Sequence, residues 1–188
     1  MILDREALGA MLLQAAKLLE ENTQYLSDID SRFGDGDHGI TMGKIAKLIQ
    51  ERVPQWGEDS IKDFLDSLGM AVMEVKGGSA GPLYGTMIGG LGVNLDDEAG
   101  QVDEEGLKAM FAGCLSEMED ITTAKVGDKT MMDALVPAVQ AAQEGAKASE
   151  QFVSKFGRAR SYKEQTIGTP DAGAVSTALF FQGLAQGI

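Results

Sequence analysis

The stretch Asp28-Ile29-Asp30-Ser31-Arg32-Phe33-Gly34-Asp35-Gly36-Asp37-His38-Gly39 sets four carboxylates within ten residues, interrupted by glycines that let the chain bend back on itself. Carboxylates this close repel one another unless a positive group lies among them. Hard oxygen donors suit Mg2+ or Ca2+; the plain alternative is a solvated acidic turn, which acid-rich chains often contain. An EF-hand is excluded, because counting from Asp28 the fifth position is Arg32 and the twelfth is Gly39, where a bidentate glutamate is required. A transition-metal site is short of donors: His38 is the single histidine, and the single cysteine, Cys114, falls in an apolar helical pattern. Magnesium with phosphate oxygens completing its shell fits better. His38 itself reads either as a hydrogen-bonded structural residue or, placed between the acidic run and a helix start, as a phosphate donor.

A second block, Lys76-Gly77-Gly78-Ser79-Ala80-Gly81-Pro82-Leu83-Tyr84-Gly85-Thr86, lacks the Gly-Lys-Ser/Thr ending of a Walker A loop and does not follow a strand as a dinucleotide fingerprint would. Its glycines, serine hydroxyl and proline suit an anion cradle at a helix start. Together with the acidic run it points to a metal–phosphate site. Two further blocks, Gly127-Asp128-Lys129-Thr130-Met131-Met132-Asp133 and Gly168-Thr169-Pro170-Asp171-Ala172-Gly173-Ala174, read as turns followed by capped helices. Arg158 and Arg160 either bind phosphate or face water, and composition alone does not decide between these.

The elements that must position these blocks are helical. Leu8, Met11, Leu12, Ala15 and Leu19 share one face at helical spacing, with Glu20 and Glu21 turned to water. Met42, Ile45, Ala46 and Ile49 form a second stripe that Pro54 stops. Ser60 with Asp63 resembles a capping box ahead of a third helix running to Val75, and Asp103 opens a fourth through Met118. Met131 to Ala148 and Ala172 to Leu184 add two more, and weaker patterns cover Leu83 to Leu95 and Glu150 to Phe156. Strand alternation is absent, so the expectation is an all-α fold in one domain, residues 1–188. Glycine is the anomaly: 24 of 188 residues against an average near 7%. Its clustering beside acids and hydroxyls suggests backbone that approaches a ligand closely, while helix caps and tight turns account for some of it.

With 16 basic and 29 acidic residues the chain carries a formal charge of −13, which disfavours nucleic acid and anionic membrane surfaces as partners. No stretch approaches the roughly 18 apolar residues of a membrane span, and the N-terminal pattern is amphipathic rather than signal-like. One cysteine allows no internal disulfide. The expectation is a cytoplasmic protein.

Taken in order, Asp-Ser-Arg-x-Gly-Asp-Gly-Asp-His-Gly, Gly-Gly-Ser-Ala-Gly-Pro-Leu-Tyr-Gly-Thr, Gly-Asp-Lys-Thr-Met and Asp-Ala-Gly-Ala, covering residues 30 to 174, resemble the nucleotide-binding subunit of dihydroxyacetone kinases. That resemblance implies a barrel of eight antiparallel amphipathic helices with the nucleotide site at one end. It implies that Asp30, Asp35 and Asp37 hold two Mg2+ ions bridging the phosphates of ADP or ATP. His38, Gly39, Ile40 and Thr41 match a stretch that contacts phosphate, and Gly78, Ser79 and Ala80 match the loop cradling the inner phosphates. Thr122 and Met131 match the adenine pocket, Arg158 a basic residue near the nucleotide, and Asp171, Ala172 and Gly173 the segment that closes over it. Asp28 lies outside the family's metal triad.

Two departures stand out: Ser79-Ala80 replaces two adjacent hydroxyls common in the family, and Asp-Ala-Gly replaces Asp-Pro-Gly. The expectation is that no ketone-binding domain precedes the module, and the resemblance then implies the free-standing subunit of bacterial systems fed by the phosphoenolpyruvate phosphotransferase pathway. Its partners would be a dihydroxyacetone-binding kinase subunit and a phosphohistidine carrier subunit, with no catalytic residue of its own. Rival expectations are the same module exchanging nucleotide in an ATP-dependent kinase, and a nucleotide-dependent protein that docks to a transcriptional regulator.

Overall fold

The computed structural model describes residues 2–137 and 153–187, except the side chain of Arg158. Helix α1, Arg5–Glu21, is capped by Asp4, whose carboxylate accepts from the Ala7 amide at 3.0 Å. It buries the predicted stripe of Leu8, Met11, Leu12, Ala15 and Leu19. The Asn22 side chain donates to the Leu18 carbonyl and ends α1, and α2, Thr23–Asp30, follows at once. Helix α3, His38–Arg52, runs into a single 3-10 turn at Val53–Gln55 that carries Pro54. Helix α4, Ile61–Met73, starts at Ser60, whose hydroxyl accepts from the Asp63 amide at 3.1 Å.

Helix α5, Ala80–Gly90, is buried on most sides. Helix α6, Glu104–Ile121, is capped by Asp103, and α7, Met132–Leu135, is one short turn. Helix α8, Ala172–Gln186, is capped by Asp171 through the Ala174 amide at 2.8 Å. The only strands among the described residues are β1, Leu3–Asp4, and β2, Gln101–Val102, paired antiparallel with Leu3 opposite Val102. The fold is therefore mostly α-helical, as expected, with one minimal bridge that composition did not signal.

The helices pack α1 on α8, α4 on α5, α5 on α6, and α3 against both α1 and α2. Glycines permit the closest crossings: a Cβ on Gly69 of α4 would stand 2.8 Å from the Gly85 carbonyl oxygen of α5. Part of the glycine excess thus serves helix contact rather than a ligand. The core formed by Leu19, Leu26, Ile45, Ile49, Met87, Ile88 and Phe180 is fully enclosed; each such side chain contributes about 1.5–3 kcal/mol by leaving water.

Three expectations are corrected. The acidic run is not one loop, because Asp28 and Asp30 lie on the last turns of α2. The pattern at Leu83 to Leu95 is a helix that begins earlier, at Ala80, where Pro82 occupies the first turn without needing a backbone donor. The helix expected over Glu150 to Phe156 is absent in its described part, residues 153–156; there the Ser154 amide donates to the Thr166 hydroxyl, and 3-10 turns follow over Arg158–Thr166. Of the helix expected from Met131 to Ala148, residues 138–148 lie outside the described residues.

Candidate functional site

The end of α2, the turn after it and the start of α3 bring three carboxylates together. Asp30 is the last residue of α2, Asp35 lies in the turn and Asp37 immediately precedes α3. One oxygen from each lies within 4.8 Å of the others. Asp30 also shapes its own turn: its Oδ2 accepts from the Gly36 amide at 2.8 Å, and a Cβ on Gly34 would collide with its carboxylate. The cluster offers oxygen donors and neither imidazole nor thiolate, which fits a hard divalent cation. Oxygens around one Mg2+ sit about 3–4 Å apart, given bonds of ~2.1 Å.

These carboxylates open into a cleft of about 290 Å³ whose other walls come from four separate stretches of sequence. The first is the loop Gly77–Ser79 with Ala80 at the head of α5; Gly78 has φ +56°, a conformation that costs glycine little. The Thr41 hydroxyl lies directly beneath Gly77, where a Cβ would collide with it. The second is Lys129, Thr130 and Met131, the third Ser154 to Ala159, and the fourth Asp171, Ala172 and Gly173.

His38 opens α3 and ties it to α8. Its Nε2 lies 2.9 Å from the Ser176 hydroxyl, which in turn accepts from the buried Tyr84 hydroxyl at 2.8 Å. Burial holds the His38 pKa below the usual imidazole range, against the opposing pull of the Asp30 carboxylate and a hydrogen bond to the Ala172 backbone. Burial likewise pushes the Asp171 carboxyl up to about 6; the Ala174 amide and the Lys129 charge act against this, and Asp133 adds to it.

The Gly127–Thr130 turn is built by Asp133. Its carboxylate accepts from the Gly127 amide at 2.5 Å and the Thr130 amide at 2.7 Å, while the Thr130 hydroxyl accepts from Met132. In this turn Asp133 supplies the half of a capping box that reaches back to the Thr130 amide, while the Thr130 hydroxyl bonds Met132 rather than Asp133. Within it Lys129 holds φ +59°, costly for a residue with a side chain, by about 1–3 kcal/mol. Its buried ammonium donates to the Thr169 carbonyl.

Of the residues singled out from sequence, the cleft brings together Asp30, Asp35, Asp37, His38, Gly78, Ser79, Ala80, Met131, Asp171, Ala172 and Gly173. Four others lie elsewhere. Gly39 packs on α2, where a Cβ would collide with Thr23 and Ser27. Ile40 is exposed beside a separate groove with Lys44 and Lys47. Thr41 supports Gly77 from below, and the Thr122 hydroxyl accepts from the Ala124 amide at 3.1 Å at the end of α6. The side chain of Arg158 lies outside the described residues, although Gly157 and Ala159 on either side of it line the cleft. Sequence reasoning missed Lys129 and Tyr84 as cleft residues. For Lys129 the available signal was Thr130-x-x-Asp133, which marks a turn shaped around the lysine.

A family model described as the DAK2 domain matches residues 32–152 and 138–186. The chain is 32% identical over 178 residues to the ADP-binding subunit DhaL of PEP-dependent dihydroxyacetone kinase 1 of Listeria innocua, covering 89% of each chain. It is 28% identical to the corresponding Escherichia coli subunit, covering 98% of each. Among solved structures it is similar to the dihydroxyacetone kinase of C. freundii in complex with AMP-PNP and Mg2+, with a TM-score of 0.73, 26% identity and 95% of this chain covered. The match spans about a third of that kinase's length, 33%.

Proposed function

This chain belongs to the DAK2-domain family, and from that premise we propose that it is the nucleotide-holding subunit of a dihydroxyacetone kinase. In this reading it keeps ADP or ATP bound with two Mg2+, takes a phosphoryl group from a phosphohistidine carrier subunit onto the bound ADP, and passes it to dihydroxyacetone on a separate substrate-binding subunit. The observation that carries the reading is the convergence of Asp30, Asp35 and Asp37 on the same cleft as Gly78–Ala80, Met131 and Asp171–Gly173. The relatives matched over most of their own length bear the names of ADP-binding subunits, which supports the carrier-fed form over the one-chain form.

Each wall has a part to play. The three aspartates would hold the cations, whose chemistry is to neutralise phosphate charge. Helix-start amides at Ala80 and Gly81, which a helix leaves without internal partners, suit phosphate oxygens. His38, Gly39, Ile40 and Thr41 would set the start of α3 against the phosphates: His38 from the cleft, Gly39 and Thr41 by packing behind it. Met131 offers an apolar surface for the base, with Thr122 and Arg158 as neighbours in the family's pattern. Asp171, Ala172 and Gly173 would close over the ligand. Phosphoryl transfer rests on positioning and charge neutralisation, so the chain needs no general base.

The same reading takes residues 1–188 as one cytoplasmic domain whose helices close into an eight-helix antiparallel barrel. No helix among the described residues is long and apolar enough to cross a membrane. A second reading, an ATP-dependent kinase that exchanges nucleotide each turnover, draws support from the likeness to the C. freundii enzyme with its AMP-PNP. Mass spectrometry of the small molecule that survives extensive gel filtration with the protein separates the two. One ADP per chain is expected; ready exchange of ATP with no retained ADP favours the second reading, and no affinity for either nucleotide overturns both.

A further inference from the structure

Three walls of the cleft meet at one residue, Thr169. Its backbone carbonyl accepts from the Lys129 ammonium, and its hydroxyl accepts from Arg32 Nη1 at 3.4 Å, in the turn that carries Asp35. Thr169 is buried and stands two residues before Asp171, which caps α8 and leads into Ala172 and Gly173 on the cleft wall. Lys129 reaches across 40 residues of sequence to make its contact. It does so from a turn whose shape Asp133 fixes on both sides, and in a left-handed backbone conformation that a residue with a Cβ adopts at a cost. If the turn alone were needed, glycine or asparagine would hold that conformation with less strain. A lysine there, with its ammonium buried rather than reaching water, indicates that the side chain is what the position requires.

We propose that Lys129 is a positioning residue: by tying Thr169 to the Gly127–Thr130 turn it latches the Thr169–Gly173 segment over the cleft and sets how long the nucleotide diphosphate stays bound. This rests on the nucleotide-holding reading above and adds to it the residue that governs release. The Arg32 contact makes the latch two-sided, linking it to the acidic turn. Lys129 touches no reacting atom in this account; it acts through the segment it holds. The ligand therefore enters while the segment is open and leaves only when the tie breaks. Loss of the tie accelerates dissociation and does not slow association, since the open segment admits the ligand, whereas general loosening of the fold slows association as well.

The test compares wild type with Lys129→Met, Lys129→Arg and Thr169→Val, in two measurements. In stopped-flow with a fluorescent ADP analogue and Mg2+, Lys129→Met raises the dissociation rate tenfold or more, with an association rate no slower than that of wild type. Lys129→Arg restores most of the difference, and Thr169→Val, which removes only the Arg32 contact, raises it about threefold. In amide hydrogen exchange without nucleotide, Lys129→Met speeds exchange across residues 169–174 and leaves α1 and α4 unchanged. Equal dissociation rates in wild type and Lys129→Met overturn the proposal, as does slower association in a variant whose exchange rises everywhere. Should Lys129→Met not fold, Thr169→Val carries the comparison, and a dissociation rate equal to that of wild type overturns the proposal. If the wild type binds no ADP, the nucleotide-holding reading fails on its own, while exchange at residues 169–174 still reports whether the tie exists.

Discussion

Two hollows in this molecule are built on opposite principles. One lies among Leu8, Met11, Leu12, Trp56, Ile61, Leu65, Leu107, Phe111 and Leu184, all apolar and supplied mainly by the inward faces of helices. Its free space of about 20 Å³ is enough for a single water, but its lining offers that water no polar partner, and such a cavity stays dry. The other is the cleft, lined by carboxylates, a lysine, hydroxyls and glycine backbone from the segments between helices. The first hollow is what remains when amphipathic faces pack. The second is shaped by helix caps, a positive-φ turn and the acidic cluster. Stability resides in the first region and, in the proposed function, ligand binding belongs to the second, so substitutions should separate the two.

The largest separation comes from Leu12→Ala, at the dry hollow. Large-to-small replacement of this buried side chain costs about 2–5 kcal/mol. Thermal unfolding should shift down by about 5–15 °C, with the ADP affinity of the folded protein unchanged. Next is Asp35→Ala, in the cleft. ADP affinity in Mg2+ should fall a hundredfold or more, about 2.7 kcal/mol, as isothermal titration would measure. Ligand-free stability should hold or rise, since one of three repelling carboxylates is gone. An Asp35→Ala protein that lost stability and kept ADP would erase the distinction between the two regions.

The Asp171 carboxyl gives a smaller and pH-dependent effect. Its folded pKa, raised to about 6 by burial, exceeds the unfolded value. The folded state then binds the proton more tightly, so ligand-free stability is greatest below the unfolded value and declines as pH climbs from about 4 through about 6. The decline attributable to this group is on the order of 1 kcal/mol once solvent screening is allowed for. Asp171→Asn, which retains the cap, should remove that part of the slope in denaturant titrations at each pH. Smallest is Ser60→Ala at the head of α4, about 0.5–1 kcal/mol by loss of the cap to Asp63. Chemical denaturation should register it, with ADP binding untouched.

The sequence spelled out the first region better than the second. The stripe from Leu8 to Leu19 and the caps at Ser60, Asp103 and Asp171 were legible because periodicity and capping chemistry are local. Helix α2 was not, because Asp28 and Asp30 near its end read as loop acids and only Leu26 and Ile29 are buried along it. In the cleft, the acidic triplet and the Gly78–Ala80 loop stood out by composition. Lys129 did not, since nothing adjacent in sequence announces that its ammonium ends at Thr169; that contact exists only in three dimensions. Gly39 and Gly85 misled in the other direction, appearing as ligand-approach glycines while serving close packing.

In the proposed function Asp30, Asp35 and Asp37 hold the divalent cations that anchor a nucleotide diphosphate. Electron paramagnetic resonance of Mn2+ titrated into the protein, with and without ADP, addresses it most directly. Two ions bound per chain are expected when ADP is present, with loss of that ADP-dependent binding in Asp35→Ala and Asp37→Ala. Free Mn2+ signal undiminished by protein and ADP together, or full binding retained in both variants, would contradict it.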